Sequence, residues 1–224
     1  MKRYFSRSLC VALLLSGFAL AQHAAAPARS NPNEALWSSL TAGNARFVAG
    51  HPKAHALVAL RNSLAKGQQP KVAVLACSDS RVAPETVFDQ SLGDLFVVRS
   101  AGNIADAIGR GSLEYAVEHL GSTLIVVMGH TSCGAVKAAC AEEKMPTPNL
   151  QAIVDQIDPA VKMAKTQAQG EAVLDAAIRD NVRQSAKDLL DHSDVLHHMV
   201  DEGKVTIIEA IYHLDTGKVE RLEH

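Results

Sequence analysis

Residues 76–82, with the sequence ACSDSRV, carry three chemically active side chains at alternate positions. Cys77 offers a thiolate, Asp79 a carboxylate that accepts protons, and Arg81 a guanidinium that pairs with carboxylates. The preceding residues, 72–76, are apolar and rich in valine, which predicts a buried strand. Because side chains alternate along an extended chain, all three would lie on one side of the chain where that strand ends.

A second cluster, GHTSCG at residues 129–134, follows another apolar run. His130 and Cys133 are three residues apart, a local chelate spacing for a tetrahedral metal. If the two strands lie close together, their carboxyl ends bring Cys77 to the same place. Two thiolates and an imidazole suit zinc better than magnesium or calcium. Two alternatives remain open at this point: buried thiols beside a hydrogen-bonded histidine, or a disulfide between Cys77 and Cys133.

The elements that must position these residues alternate between apolar strands and helices. The apolar segments predict four strands and a short fifth one, at residues 72–77, 95–99, 123–128, 205–212 and 219–222. Apolar rather than alternating strands, separated by helices, are typical of parallel sheets covered on both faces. The sequence therefore predicts an α/β fold with a mainly parallel central sheet, about four parallel strands plus a short edge strand, and helices on both faces.

Helical patterns occupy most of the remaining chain. Two extended N-terminal helices are expected, the first capped by Asn33 and ending near Gly50, the second over residues 55–66. Another covers residues 112–120, and one begins near Cys133. Two prolines within residues 144–149 predict a linker there. Helical sequence then extends to about residue 203, with breaks near Pro159 and Gly170.

The N-terminal 21 residues have the pattern of a signal peptide. A positively charged start with Lys2, Arg3 and Arg7 precedes an apolar run at residues 9–20, and Ala-Leu-Ala at 19–21 fits a cleavage site. This run is too short for a stable membrane anchor. We expect a signal peptide at 1–21, a flexible leader at 22–32, a single domain at 33–222 and export to a bacterial periplasm. Two alternatives remain: the apolar run could be an N-terminal core helix, or the signal peptide could be cleaved after Ala26.

Composition excludes several classes of function. The chain of 224 residues has a formal net charge of −2, and loss of the signal peptide, which carries three cations and no acid, changes it to −5. No basic tract is present, so nucleic-acid binding is not expected. Three cysteines would remain, at 77, 133 and 140, and an odd number does not suggest a disulfide framework.

The paired motifs CSDSRV and GHTSCG together resemble those of the β-class carbonic anhydrases. The resemblance extends to AGNARF at 42–47, GDLFVVRSAGN at 93–103, SLEYA at 112–116 and YHLDTG at 212–217, and covers residues 34–222. It implies that Cys77, His130 and Cys133 bind one Zn²⁺ per chain. It also implies reversible hydration of CO₂ to bicarbonate and a proton, by attack of a zinc-bound hydroxide.

The same resemblance assigns roles around the zinc. It implies that Arg81 holds Asp79 off the metal through a bidentate bond, so that the two act together as a catalytic gate. A substrate pocket is implied by four further matching residues: Gln68, Phe96, Tyr115 and Gly134. Family members assemble as homodimers or homotetramers whose N-terminal helices wrap a partner subunit. Gln68, Phe96 and Tyr115 are then expected to reach a site across that interface.

One departure from the family pattern is informative. A subgroup with an inhibitory bicarbonate pocket has tryptophan three residues before the first zinc cysteine, where this chain has Val74, although Arg99 of that pocket is present. The resemblance therefore implies the type in which Asp79 stays off the zinc at neutral pH. Two other functions remain as alternatives: a CS₂ or COS hydrolase on the same fold, and a zinc-binding or thiol-redox protein without hydratase activity.

Overall fold

The structure is a computed structural model, and it describes Met1 and residues 32–223. Apart from Met1 and Pro32, the predicted signal peptide at 1–21 and leader at 22–32 lie outside the described residues. From Pro32 onward, the described residues belong to one compact unit.

A five-stranded sheet forms the centre of this unit, in the order β2-β1-β3-β4-β5. Its strands are β1 (Val72–Cys77), β2 (Leu95–Ser100), β3 (Leu124–His130), β4 (Thr206–Tyr212) and β5 (Val219–Arg221). Strands β1 to β4 are parallel, and β5 pairs antiparallel with the end of β4. The predicted sheet of four parallel strands with a short edge strand is thereby confirmed.

The helices of the described region surround this sheet. They are α1 (Pro32–Val48), α2 (Leu57–Leu64), α3 (Pro84–Val87), α4 (Ala107–Glu118), α5 (Gly134–Cys140), α6 (Pro148–Gln167), α7 (Ala172–Asp191) and α8 (Asp194–Asp201). A single 3₁₀ turn, Ala101–Asn103, follows β2. Within residues 32–223, no helix combines the length and apolar character needed to cross a bilayer.

Two apolar layers cover the sheet, one on each face. Leu75 and Val127 face a large core that includes Val182 of α7. The alternate strand residues, such as Val74, face a smaller core that contains Phe88. Strands β1 and β3 are fully buried on both faces, and they are apolar up to Cys77 and His130 at their ends, as is typical of parallel strands between helices. Helices on both faces are therefore confirmed.

The first turn of α1 ties the N-terminal helix to the sheet. The helix begins at Pro32, so Asn33, which the sequence suggested as its cap, lies inside the first turn. Its side-chain amide donates to Thr206 Oγ1 at 2.9 Å and accepts from Thr123 Oγ1 at 2.8 Å. Further along, Gly43 approaches α3 so closely that a Cβ there would lie 1.8 Å from the carbonyl oxygen of Phe88.

Two helix predictions need correction, and one short helix was not predicted. Helix α4 begins at Ala107 rather than at residue 112, because Asp106 caps it by accepting a hydrogen bond from the Gly109 N–H at 2.7 Å. The break predicted near Pro159 is absent, since α6 is continuous through it. Helix α3 was not predicted, because four residues are too few to show a helical period.

Burial explains why α6 tolerates its proline. A proline inside a helix removes one hydrogen bond and costs about 3 kcal/mol. Ile157, Ala160 and Val161, on either side of Pro159, are almost fully buried, because α6 packs against α7 and α5. Each large apolar side chain that is buried in this way contributes about 1.5–3 kcal/mol, so packing offsets the loss.

Candidate metal centre

The ends of β1 and β3 bring three potential metal ligands together. Cys77 is the last residue of β1, His130 is the last residue of β3, and Cys133 is the N-cap residue of α5. Their ligand atoms all lie within 4.8 Å of one another, and all three residues are buried. Since β1 and β3 are parallel neighbours, their carboxyl ends meet at one edge of the sheet, as the sequence predicted.

The spacing of the donor atoms fits zinc. Cys77 Sγ and Cys133 Sγ are 4.0 Å apart, and both thiols are free. Two Zn–S bonds of 2.3 Å at a tetrahedral angle span about 3.8 Å, so both sulfurs can bind the same ion. The alternative of a Cys77–Cys133 disulfide is not what the structure contains.

His130 presents one nitrogen to this centre. Its Nδ1 lies 3.0 Å from the carbonyl oxygen of Thr131, which can only accept, so Nδ1 carries the proton. The other nitrogen, Nε2, is buried and has no hydrogen-bond partner among the described residues. A buried polar atom without a partner is costly, whereas a lone pair on Nε2 is what a metal requires.

Electrostatics favour a deprotonated thiol at the centre. The hydrogen bond with Cys133 is the main cause that lowers the pKa of Cys77 to about 4; burial opposes it, while His130 and backbone N–H groups, including that of Gly102, assist. The same hydrogen bond and burial raise the pKa of Cys133. Without a metal the two sulfurs therefore share one proton, which a divalent cation would displace on binding.

Asp79 and Arg81 form a bidentate pair beside the ligands. Arg81 Nε donates to Asp79 Oδ1 at 2.9 Å, and Nη2 donates to Oδ2 at 2.7 Å. These bonds hold the pKa of the Asp79 carboxyl well below its usual range, so it is ionised at neutral pH. Asp79 Oδ2 lies 3.9 Å from His130 Nε2. The carboxylate is therefore adjacent to the potential metal position while both of its oxygens are engaged by arginine.

Three supporting hydrogen bonds, donated by two residues, were not foreseen from the sequence. Arg99 donates to the carbonyl oxygens of Cys77, at 3.0 Å, and of Asp79, at 2.6 Å. The Gly102 N–H donates to Cys77 Sγ at 3.3 Å. Both residues lie in the segment 93–103 that carries the family resemblance, so the motif marked them without showing their contacts. Together they hold the backbone and the sulfur at the end of β1.

The four predicted substrate residues divide into two groups. Gly134, the first residue of α5, directly follows the ligand Cys133. Gln68 precedes β1, at the opposite end of that strand from Cys77. Phe96 pairs in register with Ala73, four positions before Cys77, or about 13 Å along the strand.

Tyr115 packs beside Phe96 rather than beside the potential metal ligands. The two ring centroids are 6.3 Å apart, and the Tyr115 ring also lies 5.1 Å from that of His119. Tyr115 is 48% exposed. Of the predicted pocket, one chain therefore brings only Gly134 to its own metal centre.

Comparisons with known proteins agree with this geometry. A family model described as carbonic anhydrase matches residues 72–219, which include every potential ligand. The chain belongs to the carbonic anhydrase family. It is 39% identical over 194 residues to carbonic anhydrase 2 of Mycobacterium tuberculosis, with 85% of this chain and 93% of the relative covered. A carbonic anhydrase of Mycolicibacterium smegmatis is 41% identical over 199 residues, with 87% and 95% covered.

Solved structures identify the class within this family. The β-carbonic anhydrase CcaA superposes with a TM-score of 0.68 at 26% identity, with 85% of this chain and 87% of that one covered. The β-carbonic anhydrase CafA of Aspergillus fumigatus superposes with a TM-score of 0.67 at 27% identity, with 85% and 90% covered. The chain is therefore a β-class carbonic anhydrase, a lyase that uses zinc, and the Cys77, His130 and Cys133 group could hold that ion.

Replacement of one ligand tests the metal centre. The wild-type carbonic anhydrase is expected to contain about one zinc per chain. Cys133→Ser should lose most of it, because a hydroxyl is a much weaker zinc ligand than a thiolate. Elemental analysis of the purified proteins measures the ratio.

Cys140→Ser is the matched control. Cys140 lies at the other end of α5 and does not belong to the ligand group, so this variant should keep its zinc. A Cys133→Ser protein with a full zinc content would contradict the assignment.

Proposed function

We propose that this chain hydrates CO₂ at the Cys77, His130 and Cys133 centre, with Asp79 and Arg81 as the catalytic pair. The observation that carries the proposal is the combination of three ligand atoms within 4.8 Å with a carboxylate held beside them by a bidentate arginine. A purely structural zinc site needs no such pair. When bound, zinc acts as a Lewis acid and lowers the pKa of a coordinated water toward about 7.

Asp79 orients the reacting water in this proposal. Its carboxylate is ionised, so it can only accept hydrogen bonds. Arg81 keeps the carboxylate from becoming a metal ligand, since its bidentate bond would have to break first. Arg99 assists indirectly, because it holds the Asp79 carbonyl and thereby the loop that carries the pair.

Gly134 has the proposed role of binding the product anion. It is the first residue of α5, where backbone N–H groups of a helix have no intrahelical partner. A bicarbonate oxygen beside Cys133 would be within reach of such a donor.

The remaining pocket residues require a second copy of the chain. Gln68, Phe96 and Tyr115 lie away from the metal centre of their own chain, so in our proposal they serve the centre of a homodimeric partner. Several large apolar side chains are exposed where such a partner would pack: Leu57 at 53%, Val58 at 65%, Ile108 at 79% and Tyr115 at 48%. Helix α2 has no buried residue at all, and a helix of eight residues is not stable without packing.

Export is a further proposal about this enzyme. The charged start, the apolar run at 9–20 and the Ala-Leu-Ala at 19–21 support a signal peptide and a periplasmic location. In a periplasm, an enzyme of this kind would interconvert CO₂ and bicarbonate outside the cytoplasm.

Replacement of the carboxylate tests the catalytic pair. Asp79→Ala should reduce the turnover of CO₂ hydration by roughly 100-fold or more, because the reacting water would lose the group that orients it. Its zinc content should stay at the wild-type level, since Asp79 is not a ligand in this proposal. Stopped-flow hydration kinetics and elemental analysis on the same sample measure both.

Asp201→Ala provides the control for Asp79→Ala. Asp201 is an exposed acid on α8, where it pairs with His197, and its loss should leave turnover unchanged. Wild-type turnover in the Asp79→Ala enzyme would refute the proposed role of the pair.

A charge on α2 tests the dimer. Val58→Lys should lower the mass measured by light scattering, because a buried unpaired lysine disfavours the interface. Turnover should fall with it, since each centre would lose the pocket residues of its partner. Met163→Lys places the same charge on α6, where Met163 is 55% exposed, and should change neither quantity. If Val58→Lys kept the wild-type mass, α2 would not be at the interface.

Fractionation tests export. When the full chain is expressed in a bacterium, mass spectrometry of the periplasmic fraction should find a mature protein that begins at Gln22. Leu14→Arg should abolish cleavage and retain the chain in the cytoplasm, because it interrupts the apolar run. An uncleaved wild-type chain in the cytoplasm would exclude the signal peptide.

A further inference from the structure

A buried asparagine on α7 lies behind the backbone that supports Cys77. Asn181 is 1% exposed, and its Nδ2 donates to the carbonyl oxygen of Gly102 at 2.7 Å. The N–H of the same glycine donates to Cys77 Sγ at 3.3 Å. The side chain of Asn181 and the sulfur of Cys77 therefore hold the two peptide groups on either side of one α-carbon.

Gly102 depends on such external contacts for its conformation. Its φ of +73° lies in the left-handed region, which other residues rarely adopt. A Cβ at this position would lie 2.7 Å from Ile157 Cδ1, so the buried Ile157 side chain would have to shift to admit a larger residue. The 3₁₀ turn around it spans only three residues. A short turn with a flexible glycine keeps its direction only if its peptide groups are bonded to their surroundings.

Asn181 is an unusual residue for its place in the helix. Asparagine is a poor helix former, and a buried amide is costly unless it is hydrogen-bonded. Its neighbour Val182 and the nearby Ile178 are buried apolar residues of the same helix. The hydrogen bond to Gly102 therefore offsets the cost of burying an amide at a position where an apolar side chain would otherwise be expected.

We propose that Asn181 is a positioning residue for the zinc thiolate of Cys77. By fixing the Gly102 carbonyl, it keeps the Gly102 N–H on the sulfur. That hydrogen bond orients the sulfur toward the other two candidate ligands, as outer contacts of metal ligands do. Loss of the amide would weaken metal retention even though all three ligands remain. This inference rests on the proposed zinc centre.

Zinc affinity gives the first test. Asn181→Leu keeps the approximate shape of the side chain and removes the donor. Removal of an outer contact of this kind typically weakens metal affinity by about 10–100-fold, and that loss is expected here. Competition between the metal-free protein and a zinc chelator of known affinity measures it.

Asn44→Leu is the matched control for this experiment. Asn44 is also buried, and its amide donates to the carbonyl oxygens of Val87 at 3.0 Å and Gly217 at 2.8 Å, neither of which touches the metal centre. Its loss should destabilise the fold and leave zinc affinity unchanged. If both variants lost affinity equally, Asn181 would act through general stability and the inference would be overturned.

A spectroscopic readout keeps the test independent of folding. In wild-type protein loaded with an NMR-active cadmium isotope, the amide proton of Gly102 should couple to the metal through the sulfur of Cys77. The coupling should be weakened or lost in Asn181→Leu. Absence of the coupling in a wild-type protein that binds cadmium would overturn the inference whether or not the variant folds.

Failure of the zinc centre itself would look different. A wild-type protein that bound neither zinc nor cadmium would refute the proposed centre and, with it, the role of Asn181. A wild-type protein that binds zinc tightly, with an Asn181→Leu variant of equal affinity and equal coupling, would refute only the role of Asn181.

Discussion

Parallel pairing of β1 with β3 is the constraint on which the site depends. Both strands are buried from end to end, and the close packing of side chains on both faces fixes the register in which they pair. Their last residues, Cys77 and His130, consequently end side by side at the carboxyl edge of the sheet. The turn after β3 then returns Cys133 to within 4.0 Å of Cys77. A bound cation would relieve the cost of burying, in one place, two sulfurs and an imidazole nitrogen that has no partner within residues 32–223.

Around this centre, arginines and backbone donors perform separate tasks. Arg81 engages the carboxylate of Asp79, whereas Arg99 engages the carbonyl oxygens of Cys77 and Asp79. Gly102 reaches the sulfur of Cys77 through its N–H. The sulfur of Cys77 and the carboxylate of Asp79 thus have different partners, although Arg99 bonds to the backbone of both residues. Three candidate ligands are fewer than the four protein ligands of a closed structural zinc site.

Agreement between sequence and structure was best where one physical signal dominated. Apolar runs identified β1 and β3, since a fully buried parallel strand needs no polar face. Strands β2 and β4 are less deeply buried and carry Arg99 and Glu209, but enough apolar residues remain in each to mark it as a strand. Local signals were less reliable when a tertiary contact overruled them. Pro159 suggested a break, but burial of its neighbours carries α6 through it. Helix α4 starts five residues earlier than predicted, because the cap on Asp106 outweighs two glycines in its first turns.

The amino-acid sequence by itself determined the ligand types, their spacing within each motif and the family, since these depend on residue identity alone. Only the tertiary structure decided which partners hold those ligands. The bond from Asn181 to Gly102 joins residues 79 positions apart, and no local pattern encodes such a contact. The structure also showed that Gly134 lies beside the candidate metal centre of its own chain. Gln68, Phe96 and Tyr115 lie away from that centre. Strand direction is the reason, because residues at opposite ends of one strand cannot meet within one copy of the fold.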